Sequence, residues 1–91
     1  MYYVYILESI SAKKLYIGFT SNFNRRLREH NSGKHGYTSS FIPWKIIYFE
    51  AYLNKYDATS RERKLKAKWG KNIIQRQLNH YFNFGSSLMT E

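Results

Sequence analysis

The sequence predicts an α+β fold, a small three-stranded, mostly antiparallel sheet flanked by helices in the order β-β-α-β-α-α. Three observations carry this. Aromatic and β-branched runs recur at Tyr2 to Leu7, Leu15 to Phe19 and Trp44 to Tyr52, as strands require. Amphipathic segments with capping residues separate and follow them. With 91 residues, the chain has room for one domain.

The first run, uncharged and apolar throughout, reads as a strand buried on both faces. Ser9 to Lys13 is a polar turn, short enough to make an antiparallel hairpin with Leu15 to Phe19. Ser21 or Asn22 caps the next helix, and Gly33 ends it. Lys34 to Pro43 reads as a loop. After the third strand, Lys55 to Trp69 reads as a helix starting at Asn54 or Asp57. Gly70 breaks it, and Lys71 to about Phe82 forms a further helix. The expected domain covers residues 1–83, with a flexible tail over 84–91.

Composition narrows the function. There is no cysteine, which excludes disulfides, Cys-based metal sites and a thiol nucleophile. Nine Tyr, six Phe and two Trp supply the core that so short a chain otherwise lacks. The net charge of +9 implies a densely anionic partner, most simply nucleic acid. A membrane surface is the competing partner, but no apolar run approaches the roughly 20 residues of a span. The N-terminus has no signal-peptide pattern. A soluble, cytoplasmic protein is expected, with no membrane or protein partner indicated.

Two helices carry polar residues where apolar ones belong. At about 100° per residue, Phe23, Leu27 and His30 share a face, with Arg26 at its border. A long arginine stem covering core beside a hydrogen-bonded histidine explains this structurally. Similarly, Glu62 falls on the face of Ala58 and Leu65, whereas Glu8, Glu29, Glu50 and Asp57 are expected at element ends or on outer faces. An inward carboxylate needs a partner. Either an ion pair with Arg26 or another base, or a Mg²⁺ ion, would serve. From Lys55 to Arg76 the chain holds eight basic and two acidic residues, a concentration that suits phosphate-backbone binding.

Tyr3-Val4-Tyr5 and Tyr16-Ile17-Gly18 resemble the paired motifs of the GIY-YIG nucleases. Arg26, His30 and Glu62 follow at the family's spacing, and Asn79 resembles its terminal Asn. The resemblance covers about residues 2–82 and is closest to small stand-alone bacterial members. One position departs: Tyr3 stands where the motif has Gly, which is expected to narrow the site. The resemblance implies a GIY-YIG endonuclease-like fold and hydrolysis of DNA phosphodiester bonds with one divalent ion, Mg²⁺ or Mn²⁺. Glu62 would hold the metal and Arg26 the phosphoryl oxygens. Tyr16 would receive or position the water's proton. Tyr5 and His30 would orient water and phosphate, with nearby cations favouring the phenolates. Lys13, Lys14, His35, Tyr37, Arg61, Lys66 and Asn79 are the expected substrate contacts. Two alternatives are a non-catalytic nucleic-acid-binding module and an interaction protein with a basic aromatic surface.

Overall fold

The computed structural model describes residues 1–34 and 36–83; His35 and the expected tail over 84–91 lie outside them. The order is β1 (Tyr2–Ser9), β2 (Leu15–Thr20), α1 (Phe23–Asn31), a 3-10 helix (Gly36–Phe41), β3 (Trp44–Tyr52), α2 (Lys55–Lys66) and α3 (Gly70–Gln77). Residues 79–83 are helical again. The strands form one sheet in the order β2-β1-β3, with both pairings antiparallel.

The uncharged run lies at the centre. Every residue of β1 from Val4 to Ser9 is buried, because β1 has a strand on each side and helices on each face. Val4 and Ile6 pack with Ala58, Leu65 and Ile74, from α2 and α3. Tyr5 and Leu7 face the other way, against Trp44, Tyr16, Phe23 and Leu27. The strand's two-residue period therefore builds two cores, one per face. Each fully buried aliphatic side chain contributes about 1.5–3 kcal/mol. Between Ile6 and Leu7 the β1–β3 register shifts, from Ile6 opposite Tyr48 to Leu7 opposite Ile46. Ile47 is the extra residue of this bulge.

Of the candidate caps, Asn22 and Asn54 serve. The Asn22 side chain accepts from the Arg25 amide, and Asn54 from those of Tyr56 and Asp57. Gly33 follows the end of α1 at a φ of +80°, in the left-handed region where glycine costs least.

Four element expectations are corrected. The segment read as a loop contains the 3-10 helix, whose short i,i+3 turn carries no amphipathic signature. The α2 helix stops at Lys66, with Ala67 extended, so Trp69 lies outside it and is 64% exposed. Gly70 opens α3 instead of breaking α2. A Cβ at Gly70 would collide with the Leu65 carbonyl oxygen, so glycine is needed there for close packing. The last helix is interrupted at Leu78.

Candidate active site

The β1–β2 register sets Tyr5 directly opposite Gly18. A Cβ at Gly18 would fall on the Tyr5 hydroxyl and ring carbons. The phenol therefore lies across β2, over the space that glycine leaves open. Its ring also packs on Phe23 at 5.6 Å and on Tyr16 at 6.4 Å.

From α1, His30 reaches the same point. It is fully buried, with Nε2 2.9 Å from the Tyr5 hydroxyl and Nδ1 3.0 Å from Thr38 Oγ1. Arg26, one turn earlier on α1, lies close enough to the Tyr5 hydroxyl to stabilise its charged form. A guanidinium only donates, so the phenol proton is directed at His30 Nε2. His30 then donates from Nδ1 to Thr38, a tautomer assigned from the network.

Thr38 is itself fixed from behind. The Trp44 indole donates to the Thr38 carbonyl at 2.8 Å. The Trp44 backbone is gripped at both groups by the Asn31 side chain, which accepts at 2.6 Å and donates at 3.1 Å. The end of α1, the 3-10 helix and the start of β3 thus lock the imidazole in place. Sequence reasoning missed Thr38, Asn31 and Trp44. No pattern marks a threonine in a polar loop as buried.

Tyr16 is half-buried, its ring 4.7 Å from that of His30. Glu62 comes from α2, in the opposite helix layer. Its side chain is 20% exposed and pairs with Lys66 at 3.1 Å. The Lys66 ammonium in turn lies 5.9 Å from the centre of the Tyr16 ring. Tyr5, Tyr16, Arg26, His30 and Glu62 are thus brought together at the β1–β2 edge. Arg26 also pairs with Glu29 at 3.0 Å, and its side chain is 30% exposed. Burial, opposed by Arg26 and reinforced by Tyr16 and Glu62, pushes the Tyr5 phenol up to about 12. The Arg26 guanidinium favours the phenolate, as expected, but burial outweighs it, and Tyr5 is a neutral hydrogen-bonding group near pH 7.

Tyr3 does not crowd this point from the Gly18 side. Its ring packs on Phe23 at 5.5 Å and on Phe49 at 6.2 Å, toward β3.

The other expected contacts divide. Tyr16, Tyr37 and Lys66 line an open groove of about 530 Å³ with Lys68 and Lys71. It adjoins a hollow of about 400 Å³ lined by Lys13, Lys14, Tyr37 and Lys71. Lysines from the hairpin turn and from the α2–α3 junction thereby flank one track that begins at Tyr16. Arg61 lies elsewhere, with Nε and one terminal nitrogen on Glu50 at 3.0 and 3.1 Å. Asn79 is exposed and accepts from Asn83.

The acids are corrected too. Glu50 has a side chain only 16% exposed. Burial opposes its charge, but Arg61 and the Tyr48 and Tyr52 hydroxyls outweigh burial and hold the carboxyl below its usual range. Glu8, 9% exposed, accepts from the Tyr81 hydroxyl. Glu62 is therefore not the sole inward acid, but it is the one beside the two phenols.

Among the described residues no three His, Cys, Asp or Glu side chains gather as a metal cage. The donor set fits a hard divalent ion held by Glu62, with waters and a substrate phosphate completing its shell.

The chain is 47% identical over 66 residues to a UPF0213 protein of Syntrophus aciditrophicus, covering 70% of this chain and 75% of that one. It is 40% identical over 67 residues to a UPF0213 protein of Haloquadratum walsbyi, covering 72% and 74%. The solution NMR structure of the UPF0213 protein BH0048 from Bacillus halodurans matches with a TM-score of 0.52 at 31% identity, covering 85% of each chain. The family model of the GIY-YIG catalytic domain matches residues 1–80. Paired tyrosine motifs on adjacent strands, the glycine under the phenol and the family match together establish that this chain belongs to the GIY-YIG family.

Proposed function

We propose that the protein is a metal-dependent nuclease that hydrolyses DNA phosphodiester bonds at the β1–β2 edge. The observation that carries this reading is the approach of Tyr5 and Tyr16 from the sheet, Arg26 from α1 and Glu62 from α2 to the head of a lysine-lined groove. Family membership supports it.

The residue types suit the chemistry. Water attacks phosphorus, loses a proton, and the P–O3′ bond breaks to leave a 5′-phosphate and a 3′-hydroxyl. Arg26 offers a planar, permanently charged donor set to the phosphoryl oxygens. Tyr16, half-buried and lining the groove, is placed to position the water and receive its proton. Tyr5, neutral and with its proton directed at His30, offers its oxygen as a hydrogen-bond acceptor in a fixed direction. His30 is a positioning residue, since its buried ring acts through the Tyr5 hydroxyl. Glu62 would hold Mg²⁺ or Mn²⁺, which when bound supplies charge neutralisation at the phosphate and leaving oxygen. Lys66 already shares that carboxylate and is the cation an arriving metal would displace.

The test is cleavage of branched, nicked, single-stranded and duplex DNA with Mg²⁺ or Mn²⁺. Wild type is expected to cut at least one, and Glu62→Gln to bind it without cutting. If wild type cuts none, the enzyme reading fails and a nucleic-acid-binding module replaces it.

A further inference from the structure

On the other side of Tyr5 from Gly18 lies an aromatic cluster that the proposed chemistry does not use. Phe49 sits opposite Tyr5 across the β1–β3 pairing, yet it is 53% exposed. Its ring stands edge-on to Phe23 at 5.0 Å and 87°, and Tyr3 packs against both. With Asn24 and Ile46 these rings line a shallow hollow of about 340 Å³, within the range of small-molecule sites. Phe49 thus packs through one edge and leaves much of its apolar ring in water beside the site.

We propose that this hollow receives one unpaired nucleobase next to the scissile phosphate, so that the substrate is a single strand, flap or loop and not intact duplex. The inference rests on the nuclease reading of the adjacent site and specifies its substrate class. Three features choose this occupant. The hollow shares Phe23 with Tyr5, whose hydroxyl has the Arg26 guanidinium as its neighbouring cation. Phe49 and Gly18 flank Tyr5 on opposite strands, so an aromatic ring seated there lies about two strand spacings, roughly 10 Å, from the guanidinium beside the Tyr5 hydroxyl, within the reach of a base and its neighbouring phosphate. Asn24 at the rim carries both a donor and an acceptor for a base edge. Finally, a net charge of +9 repels a second copy of the chain and attracts a polyanion. A charged backbone track combined with aromatic faces is how unpaired strands are held.

The experiment uses the full chain carrying Glu62→Gln, to prevent cleavage, and an oligonucleotide bearing a fluorescent purine analogue. Binding is expected to quench the analogue by stacking. Phe49→Ala should weaken single-strand affinity by about five- to a hundredfold, the range for one base–aromatic stack, and abolish the quenching. Phe49→Trp should restore both, and duplex affinity should stay unchanged throughout. Phe49→Leu, which keeps apolar bulk without a π face, should behave like Phe49→Ala and serves if the alanine variant unfolds. The base site is overturned if quenching persists in both variants, if single-strand and duplex affinity fall together, or if light scattering shows a dimer that Phe49→Ala dissociates. Cleavage by wild type with indifference to position 49 removes this inference alone; failure to bind any nucleic acid at low salt removes the nuclease reading with it.

Discussion

A methyl group at position 18 would occupy space that the Tyr5 phenol fills. In Gly18→Ala the new Cβ meets the hydroxyl oxygen and two ring carbons, and the strand pairing on β1 leaves little room to retreat. Overpacking of this kind costs about 1–3 kcal/mol. If the ring moves aside it also loses its bond to His30, worth about 1 kcal/mol. Together these give about 2–4 kcal/mol, against total stabilities of about 5–15 kcal/mol for small domains. For a chain of this size that is a fall in Tm of roughly 10–30 °C. Urea unfolding followed by fluorescence of the buried Trp44 measures it. The cycle with Tyr5→Ala isolates the cause, because in that background Gly18→Ala should cost under about 1 kcal/mol. Equal costs in the two backgrounds would refute the placement of the phenol over Gly18.

Two further predictions concern neighbouring groups. Tyr5 keeps its proton to about pH 12 when folded but only to about 10 when unfolded, so its contribution is complete below pH 10 and is lost as pH rises toward 12. Tyr5→Phe should flatten that alkaline loss by up to about 2–3 kcal/mol in denaturation series; an unchanged slope contradicts it. Arg61→Met should cost about 2–3 kcal/mol by stranding the Glu50 carboxylate, while nucleic-acid affinity measured by filter binding stays near wild type. A tenfold or greater affinity loss with stability intact would restore Arg61 as a substrate contact.

The element order was legible because each signal is local. Aromatic and β-branched runs mark the strands, and Asn22 and Asn54 mark helix starts. The end of α2 was not legible, since Gly70 is required by the Leu65 carbonyl packed against it, a contact created only by folding. The site was legible through spacing along α1 and the paired tyrosine motifs. Its support was not, because Thr38 is buried only once Trp44 and Asn31 draw the 3-10 helix onto His30. A helical wheel places Glu62 but is silent on strands, so Glu50 was misread although Arg61, Tyr48 and Tyr52 enclose it. The Tyr5 phenol shows why charge counting misleads: a +9 chain still keeps it protonated, because burial acts at contact range and most of that charge is distant and screened.

A crystal structure of the chain with Mn²⁺ and a short non-cleavable DNA reads the central claim directly. The account predicts a cation on the Glu62 carboxylate, Lys66 displaced from it, and a phosphate on Arg26 beside Tyr5 and Tyr16. A cation bound elsewhere, with Lys66 still on Glu62 and the phosphates confined to the lysine groove, would contradict it.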